Sequence, residues 1–137
     1  MTRKIIVATL AVFVAWGILD FIIHVLILSS SYAATAILWR PRAEMKQVLM
    51  YLVTFLSALI FVTIYAHLIS PKSVNRGLSY GLLFGLGVGI SMGYGTYSVQ
   101  PIPYIMAVVW FLGTTVEGTI AGLIAGLMVK DDKKEVA

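Results

Sequence analysis

Asp20 and His24 stand four residues apart in the stretch WGILDFIIHVLI, residues 16–27, inside an apolar run long enough to cross a bilayer. A third ionisable group, Glu117, lies in a second such run near the C-terminus. Carboxylates and an imidazole can relay protons, hold a cation or ligate a metal, and placing them among aliphatic side chains is costly enough to mark a site. On a helix His24 falls one turn beyond Asp20, within reach of a hydrogen bond or ion pair. Two carboxylates sharing one low-dielectric layer cannot both ionise easily, so such a pair retains a proton.

Depth along each helix decides whether these groups can meet. At 1.5 Å per residue, Asp20 is about 22 Å from Ile5 and Glu117 is roughly 20 Å from Lys130, so both lie at one level. Ser57, counted from Pro71, and Ser91, counted from Gly77, also fall at about 20 Å. The expectation is a polar layer with one residue from each span, in which Ser57, Ser91 and Thr114 supply neutral oxygens around Asp20, His24 and Glu117. Two uses fit it: hydrogen bonds that hold the helices together, or a proton or ligand site. Asp20, His24 and Glu117 are also candidate nitrogen and oxygen ligands for zinc, copper or iron, although an i, i+4 pair is the only spacing signal. Bis-histidine haem ligation is disfavoured, because His67 falls about 6 Å from one end of its span and His24 about 28 Å from that side. No cofactor is identified.

The elements that must position these groups follow from composition. The 137 residues are 60% hydrophobic and only 12% charged, which excludes a soluble globular domain. Four segments, at 5–28, 47–70, 77–99 and 104–130, are long enough to span the hydrocarbon core. PKSVNRG and VQPIP, between spans two and three and between three and four, are short hairpin connections. The predicted fold is an all-α integral membrane protein, an antiparallel four-helix transmembrane bundle in a single domain. The net charge of +4 comes from basic residues at the ends and turns of the apolar runs, a topology signal and not a nucleic-acid one. Arg3, Lys4, Lys72, Arg76, Lys130, Lys133 and Lys134 share one side, opposite Arg40, Arg42 and Lys46. Both termini are therefore expected in the cytoplasm, with the chain in a bacterial inner membrane. MTRK and ATA (34–36) resemble parts of a signal peptide, but the apolar run is too long and contains Asp20, so it reads as a retained span.

Glycines recur at every fourth position of span three, Gly77, Gly81, Gly85, Gly89 and Gly93, and of span four, Gly118, Gly122 and Gly126. This spacing predicts close contact between the two helices or with another protomer or subunit. In the first loop Arg40 and Arg42 flank Pro41, from which span two is expected to begin as a projecting helix. The two arginines suit lipid phosphates or an acidic partner. Leu28 to Leu38 is expected to be helical.

With no cysteine, no nucleotide motif and no nucleophile beside a base, catalytic activity of its own is not expected. The functional expectation is an accessory or structural subunit of a larger membrane complex, docking through the glycine faces and the arginine loop. The alternative is a small homo-oligomeric proton- or cation-coupled transporter built on the carboxylate layer. The expected partners are membrane lipids, and other membrane subunits or further copies of the chain.

Overall fold

A computed structural model describes residues 1–131, which are helical over most of their length with no strand among them. Four helices are long and apolar enough to cross a membrane: α1 (Thr2–Ile27), α3 (Gln47–Leu68), α4 (Val74–Val99) and α5 (Tyr104–Met128). A short helix, α2 (Ser29–Ala34), lies between α1 and α3. Large apolar side chains are exposed along every long helix, for example Ile18, Val48, Leu83 and Leu112. That pattern suits a lipid solvent, which solvates aliphatic groups that water would drive inward.

The helix boundaries have local causes. α4 begins at Val74, three residues earlier than the sequence suggests, because Ser73 caps it: its Oγ accepts the Arg76 amide at 3.2 Å. α3 does not start at Pro41. Arg42–Glu44 form a single 3-10 turn, Met45 is extended, and the helix proper begins at Gln47. Residues 28–38 comprise α2 and a 3-10 turn at Ala36–Leu38, separated by Thr35.

Two stretches depart from α geometry. The last seven residues of α1, Phe21–Ile27, wind as a π-helix, and Ser91–Gly95 form a π-turn within α4. The Leu28 amide accordingly reaches back to the Ile23 carbonyl, five residues away, at 3.0 Å. Such wide turns change which residues share a helix face and occur frequently at functional sites.

The most extensive helix contact joins α4 to α5; α1 packs on α3 and on α5. Along the α4–α5 seam the backbones nearly touch. A Cβ placed on Gly81 would collide with the Gly118 carbonyl and lie 2.8 Å from the Gly122 Cα; one on Gly118 would lie 2.7 Å from the Gly85 Cα. Gly77 meets Gly122 and Gly126, Gly89 meets Phe111, and Gly93 meets Ala107 and Phe111 in the same way. α3 approaches α4 mainly through aromatic rings, with Phe61 against Tyr80 (4.6 Å between centroids) and Phe84 (5.0 Å).

Two apolar clusters result. One joins Val12, Phe61, Val62, Tyr65, Ala121 and Ala125; the other joins Ile23, Leu28, Ile102, Met106 and Trp110. At the end nearer the first, the Lys4 ammonium donates to the Lys130 carbonyl at 3.0 Å, and Lys72 binds Asp131 through its backbone amide and its ammonium, both at 2.9 Å. These contacts gather the start of α1, the α3–α4 turn and the end of α5. Tyr65 fastens the same turn, its hydroxyl donating to the Ser73 carbonyl at 2.9 Å and accepting the Ser73 amide at 3.1 Å.

Candidate functional site: a carboxylate cavity between the helices

Between the two apolar clusters lies a cavity of about 410 Å³ to which all four long helices contribute. Asp20 and His24 enter from α1, Thr54 and Ser57 from α3, Thr114 and Glu117 from α5. α4 lends only apolar groups, Phe84, Val88 and Met92. Trp16 and Trp110 complete the wall. The Asp20 and Glu117 carboxyl groups line the same cavity, close enough to interact. Glu117 Oε1 is buried and has no hydrogen-bond partner.

His24 is held from both sides. Its Nε2 is 3.7 Å from Asp20 Oδ1, an ion-pair distance and not a hydrogen bond, and its Nδ1 is 2.6 Å from the Tyr32 hydroxyl. Tyr32 also accepts the Trp110 indole N–H at 3.2 Å. An indole only donates, and a phenol has one proton to give. The arrangement that satisfies all three groups has Trp110 donating to Tyr32, Tyr32 donating to His24 Nδ1, and the remaining His24 proton on Nε2 facing Asp20. Burial, the dominant influence on the Tyr32 hydroxyl, pushes it above its usual range and keeps it protonated. Trp39 closes this end, packing edge-on against Tyr32 at 5.3 Å and Trp110 at 6.2 Å, with its own N–H bound to Thr35 Oγ1 at 2.8 Å.

The side chains of Asp20 and His24 are 44% and 41% exposed, so they face open space and are not sealed in a core. Val53, Ser57, Val88 and Met92 are exposed as well. The cavity is thus open on the side where α3 and α4 stand apart. Trp16 braces its floor by donating its indole N–H to the Glu117 carbonyl at 2.9 Å, which ties α1 to α5 at the level of the carboxyl pair.

Five of the six polar residues expected to form one layer, Asp20, His24, Ser57, Thr114 and Glu117, line this cavity. Ser91 does not. It is exposed at the start of the π-turn, and Val88 and Met92 take the cavity-facing positions on α4. Counting depth gives a level and not an azimuth. The metal set is not supported either: among the described residues no three His, Cys, Asp or Glu side chains are grouped to hold an ion. Arg40 and Arg42 are exposed and make no ion pair with any described residue. His67 lies in the last turn of α3, far along the chain from the cavity-lining part of that helix.

Sequence reasoning passed over Thr54, Trp16, Trp110 and Tyr32. Thr54 falls three residues before Ser57 and shares its helix face, a signal that was available. Trp16 and Trp110 lie inside their apolar runs with no spacing pattern to mark them, and the return of Tyr32 onto His24 depends on the turn at Leu28, which no spacing rule foretells. Searches against protein-family models, curated proteins and solved structures find no match to this chain.

Proposed function

We propose that the protein is an antiparallel four-helix bundle in a bacterial inner membrane, with α4 and α5 packed on their glycine faces and both termini cytoplasmic. The orientation is supported by Lys4, Lys72, Arg76 and Lys130, at the end where the start of α1 meets the end of α5, while Lys133 and Lys134 lie outside the described residues. Within this bundle the carboxylate cavity binds a cation in exchange for a proton, as the binding unit of a small proton-coupled transporter that works as a homo-oligomer.

The observation that carries this reading is the convergence of Asp20 and Glu117, from opposite ends of the chain, on one open cavity midway along the helices. Two adjacent carboxyl groups in low dielectric repel as a dianion, so the pair keeps one shared proton until a cation replaces it. Binding and proton release are then two sides of one equilibrium, the requirement for coupling. The groups facing the pair are His24 on α1 and, beyond it, Tyr32; α3 offers only hydroxyls and α4 no titratable group. With His24 neutral while its Nδ1 accepts from Tyr32, no cationic side chain among the described residues lining the cavity competes for the site.

The test is a proteoliposome with an entrapped pH dye, pulsed with sodium, potassium, magnesium or a small organic ammonium. At least one pulse is expected to drive proton release by the wild type and to do so much less with Asp20→Asn or Glu117→Gln. Equal responses from wild type and variants to every cation would refute the reading.

A second reading is favoured by the gap between α3 and α4 and by the exposed Arg40 and Arg42: an accessory subunit of a larger membrane complex. It predicts other polypeptides in fixed ratio when the chain is purified from its native membrane in mild detergent. A pure self-oligomer would refute it.

A further inference from the structure

We infer that the cation taken by this cavity is an organic ammonium with an apolar, ring-sized body, entering sideways from the bilayer between α3 and α4. The inference rests on the proton-exchange reading above and adds the class of ligand.

The walls argue for it first. Trp16 and Phe84 lie at the level of the carboxyl pair: Trp16 bonds the Glu117 carbonyl, and Phe84 is adjacent in sequence to Gly85, which abuts Thr114 and Thr115. Trp110 is seven residues from Glu117, about 10 Å farther along α5. Carboxylates among aromatic rings match a cation whose charge is spread over carbon-bound hydrogens, because the ring faces attract it without asking it to shed tightly held water.

Volume argues for it second. A cavity of about 410 Å³ falls in the range of small-molecule sites and far exceeds what a dehydrated metal ion fills. Among the described residues no three His, Cys, Asp or Glu side chains are grouped to hold a metal ion.

Access is the third point. The exposed rim residues, Val53 and Ser57 on α3 and Val88 and Met92 on α4, stand on lipid-facing helices that meet mainly through the Phe61, Tyr65, Tyr80 and Phe84 rings. A ligand with an apolar body concentrates in the bilayer and reaches this rim directly. A bare inorganic ion does not.

The experiment is equilibrium binding of benzyltrimethylammonium to the full chain in detergent, alongside its uncharged carbon analogue neopentylbenzene, with proton release followed in the same samples. We expect saturable binding of the ammonium with proton release, little binding of the neutral analogue, and competition as pH falls. Phe84→Leu keeps an apolar group of similar size and should weaken binding roughly threefold to thirtyfold, while Phe84→Tyr, which retains the ring, should restore most of it. Glu117→Gln should abolish the linked proton release. Equal binding of neopentylbenzene would overturn the inference in favour of a plain apolar cavity. Proton release by sodium or magnesium but not by the ammonium would overturn the inference and leave proton exchange standing. Absence of proton release with every cation would overturn both.

Discussion

Placing a single methyl group on the α4–α5 seam should separate the two helices, and two glycines of the same helix provide the contrast. In Gly81→Ala the new Cβ would overlap the Gly118 carbonyl and sit 2.8 Å from the Gly122 Cα and 2.9 Å from its amide nitrogen. Ordinary carbon contacts lie at roughly 3.5 to 4.0 Å, so the shortfall approaches 1 Å against backbone that cannot rotate away. Opening the seam by that distance forfeits about a quarter to a half of the attraction of each pair lining it. Overpacking of this kind costs about 1–3 kcal/mol, and a rigid backbone neighbour places the estimate in the upper half of that range. At Gly87 a Cβ would meet nothing within 4 Å. Gly87→Ala should therefore show only the gain in helix propensity, about 0.5–1 kcal/mol. The two substitutions are chemically identical and opposite in sign. Unfolding in detergent micelles, followed by tryptophan fluorescence, measures both. If Gly81→Ala proved as stable as Gly87→Ala, the close backbone approach along this seam would be wrong.

Tyr32→Phe removes the hydroxyl shared by His24 and Trp110 and should destabilise the protein by about 1–3 kcal/mol, since it leaves a donor and an acceptor partly unpaired; an unchanged His24 nitrogen spectrum in the variant would show that the bond is not made. Glu117→Gln should leave thermal stability equal or higher, because a buried acid oxygen without a partner is replaced while the amide keeps a hydrogen-bonding group beside Asp20; a large loss would show that the carboxyl holds the helices together through its contact with Asp20. The Asp131 carboxyl is held below its usual range by the Lys72 backbone amide and then by the Lys72 ammonium. A group lowered in the folded state contributes above its unfolded value and loses that contribution as pH falls through the folded one. Protection of the Lys72 amide from exchange should accordingly fade under acid, and Asp131→Asn should flatten that dependence.

Much of this architecture is legible in the sequence because bilayer physics leaves few options. A chain so apolar, divided by short polar turns, must satisfy its backbone within helices, and the runs ending at Ile27, Leu68, Val99 and Met128 have the length to cross. The level of Asp20 and Glu117 could be counted because a helix advances by a constant rise. Azimuth could not be counted. Ser91 and Asp20 count to one level, yet Ser91 does not line the cavity, while Trp16, Thr54 and Trp110 do.

Chain reversals also escaped counting. Pro41 suggested a helix start, but the backbone turns once at Arg42–Glu44 and extends through Met45 before α3 begins. The turn at Leu28 carries Tyr32 back onto His24, and no local propensity specifies a contact made across eight residues of changing geometry. The sequence by itself determined four runs long and apolar enough to cross a membrane and the position of each ionisable group along its run, because helix length and rise are local properties. The tertiary structure alone decided which groups share a cavity, because that depends on helix rotation, and rotation is set by the glycine seam, the aromatic contacts and two changes of helical winding that act across the whole molecule.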